Sequence, residues 1–216
     1  MSTQVRRNAW AGAALAAILV APGAGMAQVG KNVSNYLEAN RATREELLAL
    51  PGMSAELADA VIKGRPYKDM LALNGVVSAR LSAEQRAELY KRLWLPIDLN
   101  TATRDEIALV PGMTPRMIRE FEEYKPYPAL AKFHREIDKY VDDAELARLE
   151  QYVFVALDLN TASDEDLLTI PGLGPRMLRE FKEYRPYTNV AQFRREIGKY
   201  VDQNEVARLE RYIAIK

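Results

Sequence analysis

Apolar positions along this chain fall at helical spacing and never alternate for long. Met177, Leu178 and Phe181 form one stripe, matched sixty residues earlier by Met117, Ile118 and Phe121 and sixty before that by Leu57, Ala58 and Val61. Such spacing puts the three side chains on one face of a helix. Pro-Gly precedes each stripe, at Pro51-Gly52, Pro111-Gly112 and Pro171-Gly172, and Arg65-Pro66-Tyr67, Lys125-Pro126-Tyr127 or Arg185-Pro186-Tyr187 ends it. Ahead of each Pro-Gly lies a hydroxyl with an acid three residues on: Thr43 with Glu46, Thr103 with Glu106, Ser163 with Asp166. That is the spacing of a capping box, and it predicts a short helix whose dipole also favours the acids. The second helix starts near Ser54, Thr114 or Gly174, and Pro115 and Pro175 suit its first turn. A third helix is expected around Phe133 or Phe193. A fourth is expected to be capped by Ser82, Asp142 or Asp202 and to carry Leu89, Leu149 or Leu209. No period-two run is long enough to predict a strand.

The predicted fold is therefore all-α, built from one unit used three times. "DLNTATRDEIALVPGMTPRMIREFEEYKPY" from Asp98 aligns without a gap on "DLNTASDEDLLTIPGLGPRMLREFKEYRPY" from Asp158, and more than half the positions of these two copies are identical. A diverged copy from Tyr36 to Leu95 keeps Asn40, Pro51, Gly52, Pro66 and Tyr67. A period of this length marks an array of small supersecondary units. The units are placed at 36–95, 96–155 and 156–216, each of about four short helices, after a flexible lead over 28–35.

The first residues change the picture of where the protein works. Arg6 and Arg7, an apolar run from Ala9 to Ala21, and small residues at Gly25 and Ala27 read as a secretory signal cleaved after Ala27, because the run is short for a membrane span. A periplasmic or secreted protein is expected. The chain has no cysteine, which excludes disulfides, cysteine-based zinc sites and a thiol nucleophile. Losing Arg6 and Arg7 from 30 basic residues leaves 28 against 30 acidic ones. Such a chain is no polycation, so binding to nucleic acid has to be local.

"LNTAS", "IPGLGPRM" and "EYRPY" together make Leu159 to Tyr187 resemble the ComEA-like helix-hairpin-helix proteins, the bacterial competence DNA receptors and their relatives. The resemblance covers about the first half of each unit. It implies helix, hairpin, helix, with sequence-independent binding of DNA through the hairpin; hairpins of this kind also hold a monovalent cation on backbone carbonyls. Free amides where a hairpin runs into a helix give the implied function a physical basis. Each dipole contact contributes only about 0.3–1 kcal/mol at an exposed site, so several hairpins on one chain matter more than one.

Differences between the copies rank them. Copy three has Arg176 and Arg179 past the hairpin, copy two has Arg116 and Arg119, and copy one has Glu56 and Asp59 there. Both hairpin glycines survive only as Gly172 and Gly174; Thr114 and Ser54, which can cap the helix themselves, replace the second. Copy three is therefore the first candidate, copy two the second, and copy one structural. The expected DNA contacts are amides of Gly172, Leu173, Gly174, Gly112, Met113 and Thr114, with charge from Arg176, Arg179, Arg116 and Arg119. Relatives carry a second glycine hairpin later in the unit, where this chain has Asp142 or Asp202.

Blander readings stand beside these. Arg176–Glu180 and Arg116–Glu120 have the spacing of solvated i,i+4 pairs. Copy two holds 8 basic and 12 acidic residues, against 9 and 8 in copy one and 10 and 10 in copy three. The repeated tyrosines are expected in the core with their hydroxyls at the surface. His134, replaced by Arg194 in copy three, is expected at a solvent position. Some glycosylases use the same hairpin, yet nothing here marks their catalytic Asp or Lys in a base pocket, so no enzyme and no cofactor is expected. Two functions remain: a double-stranded DNA-binding module, or a scaffold of the cell envelope that uses the same fold for contacts with envelope proteins.

Overall fold

The computed structural model describes residues 35–215, so the signal read over 1–27 lies outside the described residues, as does all of the 28–35 lead except Asn35. The described chain is mainly helical, and the same order of elements recurs three times. The first pass is β1 (Leu37–Glu38), α1 (Arg44–Leu48), α2 (Ala55–Lys63), α3 (Met70–Ser78), α4 (Ala83–Tyr90) and β2 (Leu93–Trp94). The second is β3 (Ile97–Asp98), α5 (Arg104–Ile107), α6 (Pro115–Glu123), α7 (Leu130–Ile137), α8 (Asp143–Glu150) and β4 (Val153–Phe154). The third is β5 (Leu157–Asp158), α9 (Asp164–Leu167), α10 (Pro175–Glu183), α11 (Val190–Ile197), α12 (Gln203–Glu210) and β6 (Ile213–Ala214). No helix among the described residues is long and apolar enough to cross a membrane.

The strands correct the sequence expectation. Each pass closes on itself through a parallel pair, Leu37 opposite Leu93, Ile97 opposite Val153 and Leu157 opposite Ile213. Two residues per strand are too few for alternation to show, and each partner lies a whole unit away in sequence. Leu95-Pro96 and Val155-Ala156 link successive passes.

Within each pass the loop before the first helix is fastened to the end of the second. Asn160 Nδ2 donates to the carbonyl of Tyr187 at 2.9 Å and its Oδ1 accepts from the Tyr187 amide at 2.7 Å. Asn100 grips Tyr127 in the same way at 2.8 and 2.6 Å, and Asn40 grips Tyr67 at 3.0 and 2.8 Å. These tyrosines follow cis prolines and are almost fully enclosed. Their hydroxyls do not reach the surface as expected: Tyr67 donates to Val61 O and Tyr127 to Phe121 O inside the core. Tyr140 and Tyr200, half-buried, meet the hydroxyls of Tyr124 and Tyr184 instead.

The buried apolar residues form two clusters, one running from Ala39 to Val155 and one from Leu159 to Ile213. Copies one and two thus share a core. Trp94 Nε1 donates to Tyr152 O at 3.0 Å, and Tyr36 stacks on Tyr152 with ring centres 5.7 Å apart. Copy three joins them through Arg211, which donates to Lys68 O and Pro96 O and lies over the rings of Phe154 and Tyr212.

The capping boxes form at Thr43 with Glu46 and at Ser163 with Asp166. At the third place Thr103 caps Glu106 N, but the Glu106 carboxylate leaves the box and accepts from Met70 N, at the start of α3, at 2.9 Å. Burial raises its pKa, the Met70 bond opposes that, Asp69 adds to it and Arg211 opposes it. An acid held above its ordinary value stabilises the fold below that value, and the contribution is lost as pH rises through the folded value.

Two outcomes are expected. Asn160→Ala orphans both backbone groups of Tyr187 and should cost about 1–3 kcal/mol in urea unfolding, with Asn160→Asp recovering only part because it cannot donate. Glu106→Gln keeps an acceptor for Met70 N and should flatten the decline of stability above pH 4.5 expected of the unaltered chain, read as thermal midpoint against pH.

Candidate nucleic-acid interface

Each Pro-Gly pair makes a turn between the first and second helices of its pass. The amides of Met53, Met113 and Leu173 close it on Leu50 O, Val110 O and Ile170 O at 3.2, 3.1 and 3.0 Å. Gly52, Gly112 and Gly172 sit at φ +73, +77 and +75, where a turn with proline before it demands glycine. The next-but-one position is different. Ser54, Thr114 and Gly174 are helix N-caps with φ −89, −100 and −96, which any residue adopts. The second glycine is therefore not required by the backbone. Its effect is chemical: Ser54 Oγ accepts from Leu57 N and Thr114 Oγ1 from Met117 N, whereas Gly174 leaves Met177 N uncapped.

This geometry corrects two of the expected contacts. Leu173 and Met113 use their amides to close the turn, and the Leu173 side chain is only 2 % exposed. Gly172, Gly174, Gly112 and Thr114 keep amides with no hydrogen-bond partner among the described residues. The four arginines are all exposed. Arg116 lies 4.0 Å from Glu120 and 5.1 Å from the centre of the Tyr140 ring, so part of its charge is engaged. Arg119, Arg176 and Arg179 have no ion pair among the described residues. The Arg176–Glu180 pair expected from the spacing does not form among the described residues, whereas its counterpart Arg116–Glu120 does at 4.0 Å. In copy one Asp59 takes Arg44 at 2.7 Å, and that guanidinium holds its carboxyl below the usual range. His134 pairs with Glu150 at 3.0 Å where Arg194 pairs with Glu210, so the exchange keeps one surface contact.

No protein-family model, curated protein or solved structure matches the chain. Function therefore rests on these residues and their neighbours.

Two kinds of neighbour had not been picked out from the sequence, a brace behind the turn and a residue from another copy. Arg208 holds Glu205 with two nitrogens at 2.6 and 2.7 Å and donates its third to Pro171 O at 2.8 Å, bracing the turn from behind. Arg148 does the same with Glu145 and Pro111 O. Copy one has Glu88 at this position, paired with Lys91. The signal was legible as Glu-x-x-Arg shared by copies two and three only. Copy one provides the second neighbour: Arg41 lies over Gly172, where a Cβ would stand 2.6 Å from its Cζ.

The two braces differ in depth, with side chains 2 % and 32 % exposed for Arg208 and Arg148. Arg208→Ala empties the site of a buried guanidinium and leaves Pro171 O without its donor, while solvent still reaches Glu205, and should cost about 2–3 kcal/mol. Arg148→Ala should cost about 1–2 kcal/mol, because the Arg148 guanidinium is itself a third exposed and leaves less of a cavity behind. Parallel urea titrations of the two variants check the order.

Proposed function

We propose that this chain is a helix-hairpin-helix protein of the ComEA-like type, with three tandem units, that grips the backbone of duplex DNA without sequence preference. The turn before α10, with Arg176 and Arg179, is the principal contact. The turn before α6, with Arg116 and Arg119, is the lesser one. The observation that carries this is the start of α10: its N-cap has no side chain to take the Met177 amide, and both arginines past it are unpaired among the described residues. Backbone amides and guanidinium groups together suit phosphate oxygens and carry no base information. Copy two has a threonine cap on its helix and more acidic than basic residues, which weakens its share. We place the protein in the periplasm or outside the cell on the strength of its N-terminal signal.

A scaffold of the envelope is the second reading, and one observation favours it. The Leu173 side chain is buried and Gly172 is packed by Arg41, so this turn also serves contacts between copies.

Titration of residues 28–216 onto labelled duplexes of unrelated sequence, at several salt concentrations, separates the two. DNA binding predicts dissociation constants on the order of 10⁻⁴–10⁻⁶ M at physiological salt, alike for all sequences and weakening as salt rises. Arg176→Glu/Arg179→Glu should lose most of it. Equal binding by that variant, or none by the unaltered chain at low salt, removes the DNA reading and leaves the scaffold.

A further inference from the structure

We infer that Arg41, from the copy whose own turn is acidic, completes the phosphate-binding face of the turn in copy three. This rests on the DNA reading above and assigns a residue on which that reading does not depend.

The sequence gives no hint of it, since Arg41 stands 131 residues from Gly172 and belongs to the copy bearing Glu56 and Asp59. Its counterparts are Thr101 and Thr161, whose hydroxyls turn back onto Asp98 and Asp158 at 3.1 and 3.0 Å. Copy one has Glu38 in place of that aspartate, and Glu38 Oε1 accepts from Asn40 N. Arg41 has no such local bond. It reaches across to copy three, where its guanidinium occupies the space that the missing Cβ of Gly172 leaves open. Arg41 is exposed, and among the described residues its side chain has no hydrogen bond or ion pair.

The charges around it leave a cation to spare. Three arginines, Arg41, Arg208 and Arg211, face the Glu38 carboxylate. Glu205 takes Arg208, and Arg211 spends its donors on Lys68 O and Pro96 O. Arg41 is the exposed member of the three, lying where a Gly172 side chain would stand, on the turn that leads to Arg176 and Arg179. A phosphate resting on that turn would meet guanidinium groups from two copies at once. Copy one thus contributes to anion binding through its docking and not through its own turn.

The test uses residues 28–216 carrying Arg41→Gln, Arg41→Lys or Arg176→Glu/Arg179→Glu, titrated onto one duplex between low and moderate salt. Arg41→Gln keeps a planar amide over Gly172 and removes the charge, and the thermal midpoint of each variant reports whether copy one stays docked. Arg41→Gln should weaken binding severalfold and lower the slope of log K against log salt by about 1, with an unchanged midpoint. Arg41→Lys should keep the slope. An unchanged slope for Arg41→Gln, in a chain that binds DNA and loses it with Arg176→Glu/Arg179→Glu, overturns this inference and leaves the DNA reading standing. Tighter binding by Arg41→Gln also overturns it, because Arg41 would then be covering the turn. No binding by the unaltered chain removes both.

Discussion

The two-way hydrogen bond between one asparagine side chain and the backbone of one tyrosine holds each pass of this fold together. An amide group offers one donor and one acceptor side by side, and the peptide groups flanking Tyr67, Tyr127 or Tyr187 present the complementary pair. Asn160 meets both at under 3 Å. Two helices of nine and four residues, such as α10 and α9, are too short to be stable alone. Fastening the loop before one to the end of the other makes them a unit. Beside the clamp, Arg65, Lys125 or Arg185 donates to Ala42 O, Ala102 O or Ala162 O across the same junction. The parallel strand pair then returns the chain to its start. With the helices fixed in this way, the Pro-Gly turn between them takes the same shape in all three passes, with its glycine at φ +73 to +77.

Positions that repeat and positions that do not have different work. The clamp, the glycine at positive φ and the helix caps recur because they serve each pass internally. Contacts between passes are made by residues that depart from the repeat. Glu106 leaves its capping box for Met70 N, Arg211 replaces Lys91 and Gln151 and fastens copy three to copy one, and Arg41 replaces a threonine that would bond locally. An inter-copy contact cannot be the same for all three copies of an array whose members have different neighbours. Departures from the repeat are for that reason the informative positions, both for assembly and for the candidate interface.

Much of this could be read from the sequence. The caps at Thr43, Ser82, Asp142, Ser163 and Asp202 are local in sequence and formed as expected. The apolar stripes of Leu57, Ile118 and Phe181 are buried as their spacing required. The strands escaped notice because two residues carry no period. The hydroxyls of Tyr67 and Tyr127 escaped it because their acceptors are carbonyls of the preceding helix, which composition does not reveal. At the candidate interface the sequence ranked copy three first, and the structure shows the start of its second helix without a side-chain cap. That the second glycine has no backbone role, at φ −96, shows only in the structure.

The sequence alone determined the repeat, the helical class, the sites of the caps and the one glycine each turn demands, because each depends on residues within a few positions of one another. Only the tertiary structure decided which amides of the turn remain free, which arginines remain unpaired and which residue of a distant copy lies over Gly172. Those outcomes depend on the partners a side chain meets once the copies pack, and packing joins residues separated by 36 positions, as for Met70 and Glu106, or 143, as for Lys68 and Arg211. A side chain's charge is written in the sequence, but whether that charge is already spent is settled by its neighbours in space.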